Sequence, residues 1–110
     1  MTQNSRPVVL VFAGNDPTGG AGIQADIETL ASLGCHPAPV VTALTVQDTV
    51  GVKHYMPVEA GMVIAQARAV LEDMPVAAFK AGMLGSVENA TALAAIMQDY
   101  PDIPLILDPI

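Results

Sequence analysis

Four short apolar runs rich in β-branched residues recur along the chain, and segments with helical spacing separate them. The runs are Val8–Phe12, Val40–Thr45, Val76–Phe79 and Leu105–Leu107. Runs of this length with few polar residues are typical of strands that are buried on both faces of a parallel sheet. Strands that alternate with helices predict right-handed βαβ units, and therefore an α/β fold with a mostly parallel sheet.

The first two helical segments are bounded by residues that end helices. In the first, Ile23, Ile27 and Leu30 fall on one face, and Gly34 follows as a stop signal. The second helix is predicted over Glu59–Asp73, where Pro75 prevents its continuation.

The third helix is predicted to begin after Ser86, which can cap its N-terminus, and Glu88 complements the dipole in the first turn. Pro101 closes this helix. Its predicted inner stripe is Ala90, Leu93, Ala94 and Met97.

The segment Thr49–Pro57 interrupts the alternation because it is β-prone and too short for a βαβ unit. It predicts a small extra strand or flap beside the ligand site. The final run, Leu105–Leu107, has no helix after it within the 110 residues. We therefore expect its apolar face to be exposed and the chain to self-associate.

The glycine-rich stretch AGNDPTGGAGIQAD joins the first strand to the first helix. Small molecules bind beside such turns in parallel α/β sheets, and glycine lets the backbone approach a ligand closely. Asp16 is expected to hold the turn through bonds to backbone N–H groups. Asp26 is placed in the first helical turn, where capping is the alternative to a ligand contact. No G-x-G-x-x-G motif starts at Gly14, which disfavours a dinucleotide-binding domain.

Composition excludes several classes of function. The net charge is −7, and the four basic residues form no cluster, which disfavours nucleic-acid binding. Lys80 is interpreted as a surface charge at a strand end. The lone Cys35 excludes a disulfide framework, and neither His36 nor His54 has a partner at metal-ligand spacing. No signal peptide or membrane-spanning run is visible, so we expect a cytoplasmic protein without membrane contacts.

Four ordered motifs resemble one known family: GNDPTGGAGIQAD, VVTALTVQDT, KAGML and LILDP. They resemble the amino-terminal part of the hydroxymethylpyrimidine/phosphomethylpyrimidine kinases of thiamine biosynthesis, within the ribokinase-like superfamily. The resemblance implies a three-layer α/β/α fold whose mostly parallel sheet is truncated after about the fourth core strand. Residues 1–110 would then be the substrate-binding part of a single kinase domain.

The family transfers phosphate from ATP, with Mg²⁺, to 4-amino-5-hydroxymethyl-2-methylpyrimidine and then to its monophosphate. Full-length members are expected to be homodimers. The family's GTGC-type segment, which carries the hydroxyl activator and most ATP contacts, is not among these 110 residues. We therefore assign no catalytic residue and expect the chain alone to be inactive.

Carried over residue by residue, the resemblance implies that Gly14, Ala21, Asp26, Gln47 and Met83 bind the substrate. Gln47 is the best candidate because its amide can pair with a ring nitrogen and an amine. Met83 would pack on the pyrimidine face, with core filling as the alternative. Asp108 would join the Mg²⁺–water network. Two alternatives stay open: a kinase for a pyridoxal-type alcohol, and a non-catalytic pyrimidine-binding fragment.

Overall fold

The computed structural model describes residues 6–108, which form one five-stranded sheet with helices on both faces. Pro109, the last residue of the LILDP motif, lies outside the described residues. The strands are β1 (Val8–Gly14), β2 (His36–Gln47), β3 (Val52–Pro57), β4 (Val76–Ala81) and β5 (Leu105–Leu107). The helices are α1 (Gly22–Ser32), α2 (Ala60–Asp73) and α3 (Val87–Asp99).

The strand order across the sheet is β3-β2-β1-β4-β5. β1 pairs in parallel with β2 and β4, and β4 pairs in parallel with β5. β3 is antiparallel to β2, so the predicted extra strand after Thr49 is confirmed. The α/β class is confirmed as well, and the carboxyl ends of β1, β2 and β4 come together at one edge of the sheet.

Two hydrophobic clusters lie on opposite faces of the central strand β1, all of whose residues are buried. Leu10 and Phe12 face α2 and α3, and the Phe12 ring packs against that of Phe79 with centroids 6.2 Å apart. Val9 and Val11 face α1 and pack with Ile23. Because side chains alternate along a strand, β1 supplies both cores of a three-layer α/β/α arrangement.

β2 begins at His36, four residues before the predicted start, and includes Pro37 and Pro39. The His36 amide donates to Pro7 O at 2.7 Å, so the alternating proline nitrogens point away from β1. β3 pairs with β2 residues from Ala43 onward, so no strand in the described part of the chain pairs with the outer edge of β2 before Ala43. Proline is therefore tolerated there, since no ladder bond needs its missing N–H.

The buried face of α3 differs from the predicted stripe. Ser86 caps the helix as expected, because its Oγ accepts a hydrogen bond from Asn89 N at 3.0 Å. The predicted inner residues Ala90 and Ala94 are exposed. Leu93 is buried as predicted and Met97 packs partly buried against the core, but the other buried residues of α3 are Asn89, Ala92 and Ile96. A polar side chain at the core face shifted the stripe, and apolar periodicity alone could not show this.

Replacing Ser86 by Ala should lower the free energy of unfolding by about 1 kcal/mol, because the backbone N–H of Asn89 loses its acceptor at the start of α3. Urea denaturation measures the change. Ser32→Ala is the matched control, since the exposed Ser32 Oγ only donates to Thr29 O near the end of α1. Equal losses in the two variants would contradict the capping role.

Within residues 6–108, no helix has both the length and the apolar character needed to cross a membrane. The expected exposure at the last strand is confirmed, because Ile106 and Leu107 of β5 are both exposed. Self-association through this face stays a prediction.

Candidate functional site

A cavity of about 490 Å³ lies at the carboxyl ends of the parallel strands, beside the start of α1. The residues predicted to bind substrate and cation all line it, namely Gly14, Ala21, Asp26, Gln47, Met83 and Asp108. They come from four separate parts of the sequence, and the topology brings them together. Their roles toward a ligand stay predictions.

The buried Asp16 organises the glycine-rich turn, and the expected bonds to backbone N–H groups are confirmed. Its carboxylate accepts hydrogen bonds from the amides of Thr18 at 2.9 Å, Gly20 at 3.1 Å and Ala21 at 2.8 Å. The Thr18 hydroxyl donates to it as well, at 2.9 Å. The Thr18 amide has the largest effect, and together these donors lower the pKa of Asp16 below its ordinary value although burial raises it.

Asn15 ties the turn to the end of β2. Its Oδ1 accepts a hydrogen bond from Thr45 N at 2.8 Å, and its backbone O accepts from Thr45 Oγ1 at 2.9 Å. Gln47 Nε2 donates to Thr45 Oγ1 at 2.7 Å and to Asn15 O at 3.3 Å. Because the Asn15 carbonyl oxygen can only accept, the Gln47 side-chain atom that faces it must be the nitrogen. This network therefore fixes the orientation of the Gln47 amide. The roles of Asn15 and Thr45 in this network were not predicted from the sequence.

Met83 lies on the side of the cavity where β4 ends. The Gly82 amide donates to Phe12 O at 2.8 Å, which holds the chain after β4 against β1. A Cβ added to Gly14 would be 3.5 Å from Met83 Sδ. The thioether therefore lies against the backbone of the glycine-rich turn, at van der Waals distance from any side chain that Gly14 could carry.

Lys80 is not the surface charge that the sequence suggested. Its side chain is only 18% exposed, and its Nζ donates to Asp26 Oδ1 at 2.5 Å and to Asp108 Oδ2 at 3.2 Å. Burial lowers the pKa of the Lys80 ammonium, but the hydrogen bonds to Asp26 and Asp108 outweigh this effect and raise it. One cation thus joins β4, α1 and the residue that follows β5.

The placement of Asp26 in the first turn of α1 was wrong. The helix begins at Gly22, and its first turn contains no acidic residue. Asp26 lies one turn further along, so it does not cap the N-terminus, and its partner is Lys80. Lys80 is 54 positions away in the sequence, and no local pattern indicates such a pair.

Asp108 follows β5, where its amide donates to Ala81 O at 3.0 Å. Its side chain is exposed apart from the ion pair with Lys80. Among residues 6–108, no group of three or more His, Cys, Asp or Glu side chains could hold a metal ion. These residues do not make up a Mg²⁺ site by themselves, and a contact of Asp108 with the cation through water stays a prediction.

Comparison with known proteins gives consistent results. Residues 16–110 match the family described as phosphomethylpyrimidine kinase. The chain is 46% identical over 105 residues to the hydroxymethylpyrimidine/phosphomethylpyrimidine kinase of Mycobacterium tuberculosis, covering 94% of this chain and 38% of that protein. The corresponding kinase of Streptomyces coelicolor is 45% identical over 106 residues, with the same coverage.

Solved structures agree. The chain matches phosphomethylpyrimidine kinase from Clostridium difficile with a TM-score of 0.88 and 36% identity, over 96% of this chain and 46% of that one. An ADP complex of Bacillus subtilis pyridoxal kinase gives a TM-score of 0.86 at 27% identity, over 96% and 42% of the two chains. The ribokinase-like fold is therefore confirmed.

The chain spans 38% of the length of the curated kinases described above, and the motifs that suggested the resemblance lie almost entirely within the matched residues. The family match, the relatives and the fold all agree with the resemblance seen in the sequence. The chain belongs to the phosphomethylpyrimidine kinase family.

Proposed function

We propose that this chain supplies the substrate-binding part of a kinase that phosphorylates 4-amino-5-hydroxymethyl-2-methylpyrimidine and its monophosphate in thiamine biosynthesis. The observation that carries the proposal is the convergence of Gly14, Ala21, Asp26, Gln47 and Met83 on one cavity. Relatives named hydroxymethylpyrimidine/phosphomethylpyrimidine kinase support the choice of substrate.

The cavity has the composition that a flat aminopyrimidine needs. Apolar groups of Ala13, Val52 and Met83 line it, together with a small number of polar side chains. A heteroaromatic ring requires apolar contacts with its faces and a few oriented hydrogen-bonding groups at its edge. The glycine backbone at the start of α1 leaves room for the ring to approach the turn.

Gln47 offers an acceptor to the ligand. Both hydrogens of its Nε2 are directed at Asn15 O and Thr45 Oγ1, and no donor among residues 6–108 bonds its Oε1. An exocyclic amine of the pyrimidine can donate to this oxygen. Because the amide orientation is fixed before binding, little conformational freedom is lost when the ligand arrives.

Asp26 offers a second acceptor at the opposite side of the cavity. Lys80 occupies its Oδ1, whereas no donor in the described part of the chain bonds Oδ2. The side chain is only 13% exposed, which favours a strong interaction with any ligand N–H or O–H that reaches it. The Lys80 ammonium supplies the opposite charge beside this largely buried carboxylate.

The proposed phosphoryl donor is ATP with Mg²⁺. A related fold, the pyridoxal kinase of Staphylococcus aureus, is described in complex with AMP-PCP and pyridoxal. Phosphoryl transfer requires the acceptor hydroxyl to be held in line with the donor phosphate. The residues of this chain bind and orient the pyrimidine, and we expect the chain alone not to turn over ATP. The homodimer of full-length members stays a prediction.

Replacing Gln47 by Met should weaken aminopyrimidine binding about 5- to 10-fold, the equivalent of about one neutral hydrogen bond. Isothermal titration calorimetry with 4-amino-5-hydroxymethyl-2-methylpyrimidine measures the change. Gln66→Met is the matched control, because Gln66 lies on α2 and its amide only donates to Met62 O. Unchanged affinity in the Gln47 variant would contradict its role.

A ligand panel separates the proposed substrate from that of a pyridoxal-type kinase. Tighter binding of pyridoxal than of the aminopyrimidine would favour the pyridoxal-type kinase. Saturable aminopyrimidine binding without ATP turnover is the expected result for the chain alone. Pyrimidine-dependent ATP turnover by the chain would contradict the assignment of the catalytic groups to a part of the fold outside residues 1–110.

A further inference from the structure

Two buried polar side chains hold the loop that carries Met83, and neither of them lines the cavity. The loop comprises residues 82–86 between β4 and α3, and is called the Met83 loop below. Thr42 lies in β2 and Asn89 in α3, and both are completely buried, with 0% of their surface exposed. Buried polar groups in a core are tolerated when they are hydrogen-bonded, so their partners indicate what they hold in place.

Both side chains bond to carbonyls of the Met83 loop. Thr42 Oγ1 donates to Met83 O at 2.5 Å. Asn89 Nδ2 lies 2.9 Å from Leu84 O, 3.0 Å from Val58 O and 3.2 Å from Thr42 O. Two successive carbonyls of one loop are thus fixed by two residues that are 47 positions apart in the sequence.

The backbone after Leu84 strengthens this attachment. Gly85 has a φ of +86°, and a Cβ added there would lie 3.2 Å from Ala43 Cβ and 3.4 Å from Thr42 O. The loop therefore packs tightly on β2 at the position where Thr42 holds it. Asn89 Oδ1, by contrast, is buried with no hydrogen-bond partner among the described residues. The donor half of this amide is the half that the structure uses.

Methionine is an adaptable side chain, so a fixed backbone is needed if Met83 is to form a wall of constant position. We infer that Thr42 and Asn89 are positioning residues that hold Met83 against Gly14. They thereby set the width of the space that the cavity offers to the pyrimidine ring. This inference rests on the proposed function for its ligand. The placement of Met83 itself is a property of the ligand-free protein.

The test uses methionine labelled with ¹³C in the ε-methyl group. The sequence contains six methionines, and a Met83→Leu variant assigns the Met83 signal. In the ligand-free protein we expect a nuclear Overhauser effect between the Met83 methyl and the Gly14 α-protons. We also expect a more rigid methyl axis for Met83 than for Met62, which is 55% exposed. An equally mobile Met83 methyl would overturn the inference without any substitution of Thr42 or Asn89.

Thr42→Val removes the hydroxyl and nearly preserves the shape, whereas Thr42→Ser keeps the hydroxyl. We expect Thr42→Val to weaken the nuclear Overhauser effect between Met83 and Gly14 and to reduce aminopyrimidine affinity about fivefold or more. Thr42→Ser should keep both at the wild-type level. Thr91→Val, on the exposed side of α3, is the control for the substitution. A Thr42→Val protein with the wild-type methyl contact and an affinity within about twofold of wild type would overturn the inference.

The two hypotheses fail in different ways. If the wild-type chain does not bind the aminopyrimidine, the proposed function is wrong, and the methyl contacts still decide whether Thr42 positions Met83. If the chain binds the pyrimidine but the contact and the affinity do not depend on the Thr42 hydroxyl, the positioning role is wrong and the proposed function stands.

Discussion

Replacing Gly22 by Ala should lower the free energy of unfolding by about 3 kcal/mol and weaken aminopyrimidine binding by more than about tenfold. Gly22 has a φ of +61°, which L residues rarely adopt. A Cβ at this position would lie 2.6 Å from Gly14 O and 3.3 Å from Asp16 N, so backbone atoms of the turn would have to move. A flexible side chain could yield, whereas Gly14 is part of β1 and Asp16 N donates a hydrogen bond to Gln24 Oε1 at 2.9 Å.

The expected loss of stability in Gly22→Ala has two causes, which a control variant separates. Left-handed strain in a non-glycine residue costs roughly 1–2 kcal/mol, and displacement of packed backbone typically costs about 1–3 kcal/mol. Gly34→Ala involves only the first cause, because Gly34 has a φ of +82° and no atom of residues 6–108 lies within 4 Å of an added Cβ. Urea denaturation and calorimetry measure both variants. Equal destabilisation by the two substitutions would show that the contact with Gly14 is unimportant.

Gly22→Ala should weaken aminopyrimidine binding because the backbone atoms that it displaces, in Gly14 and Asn15, belong to residues that line the cavity. Gly14 lies against Met83, and Asn15 holds the amide of Gln47 through its backbone oxygen. A shift of a few tenths of an ångström at Gly14 would therefore reach both sides of the cavity. Gly34, at the end of α1, should leave the affinity unchanged.

The apolar runs were sufficient to predict the sheet, because strands buried on both faces need continuous hydrophobic residues. Boundaries were less predictable where they depended on a neighbouring strand. Pro37 and Pro39 argue against a strand in the sequence, yet they lie at an edge of β2 that β3 does not reach. Only the strand order shows that no ladder bond is required at these positions.

The assembly of the site was predictable because parallel topology brings strand ends together, and the motif resemblance supplied the identities of its residues. Its supporting interactions were not predictable. Lys80 pairs with Asp26 over 54 positions, and Thr42 reaches Met83 over 41. Neither contact has a local pattern. The predicted inner stripe of α3 did not include the polar Asn89, because a stripe inferred from apolar periodicity contains only apolar residues.

Asp16→Asn should open the glycine-rich turn and weaken aminopyrimidine binding at least about tenfold. The Asp16 carboxylate accepts from the amides of Thr18, Gly20 and Ala21, whereas an asparagine amide would direct N–H groups toward some of these donors. The amides of Thr18, Gly20 and Ala21 would then lose the acceptor that the Asp16 side chain, only 3% exposed, provides inside the turn, which is costly.

Asp48→Asn is the matched control, since Asp48 also accepts from two backbone amides, of Val50 and Gly51, but in an exposed turn where water can replace it. We expect little change in affinity from that variant. An Asp16→Asn protein that binds like the Asp48→Asn protein would contradict the organising role of Asp16.

The acid dependence of stability gives an independent test of Asp16. Its pKa in the folded protein is lowered from the ordinary value of 3.8, chiefly by the Thr18 amide. A carboxylate whose pKa is lowered in the folded protein contributes stability that is complete above its unfolded-state pKa. This stability is lost as the pH falls through the folded-state pKa.

The free energy of unfolding of the wild-type protein should therefore decrease as the pH falls below 3.8, and Asp16→Asn should flatten this decrease. Part of the slope should remain, because the amides of Val50 and Gly51 lower the pKa of Asp48 in the same way. A wild-type slope that survives intact in Asp16→Asn would mean that the turn does not depend on the charge of this carboxylate.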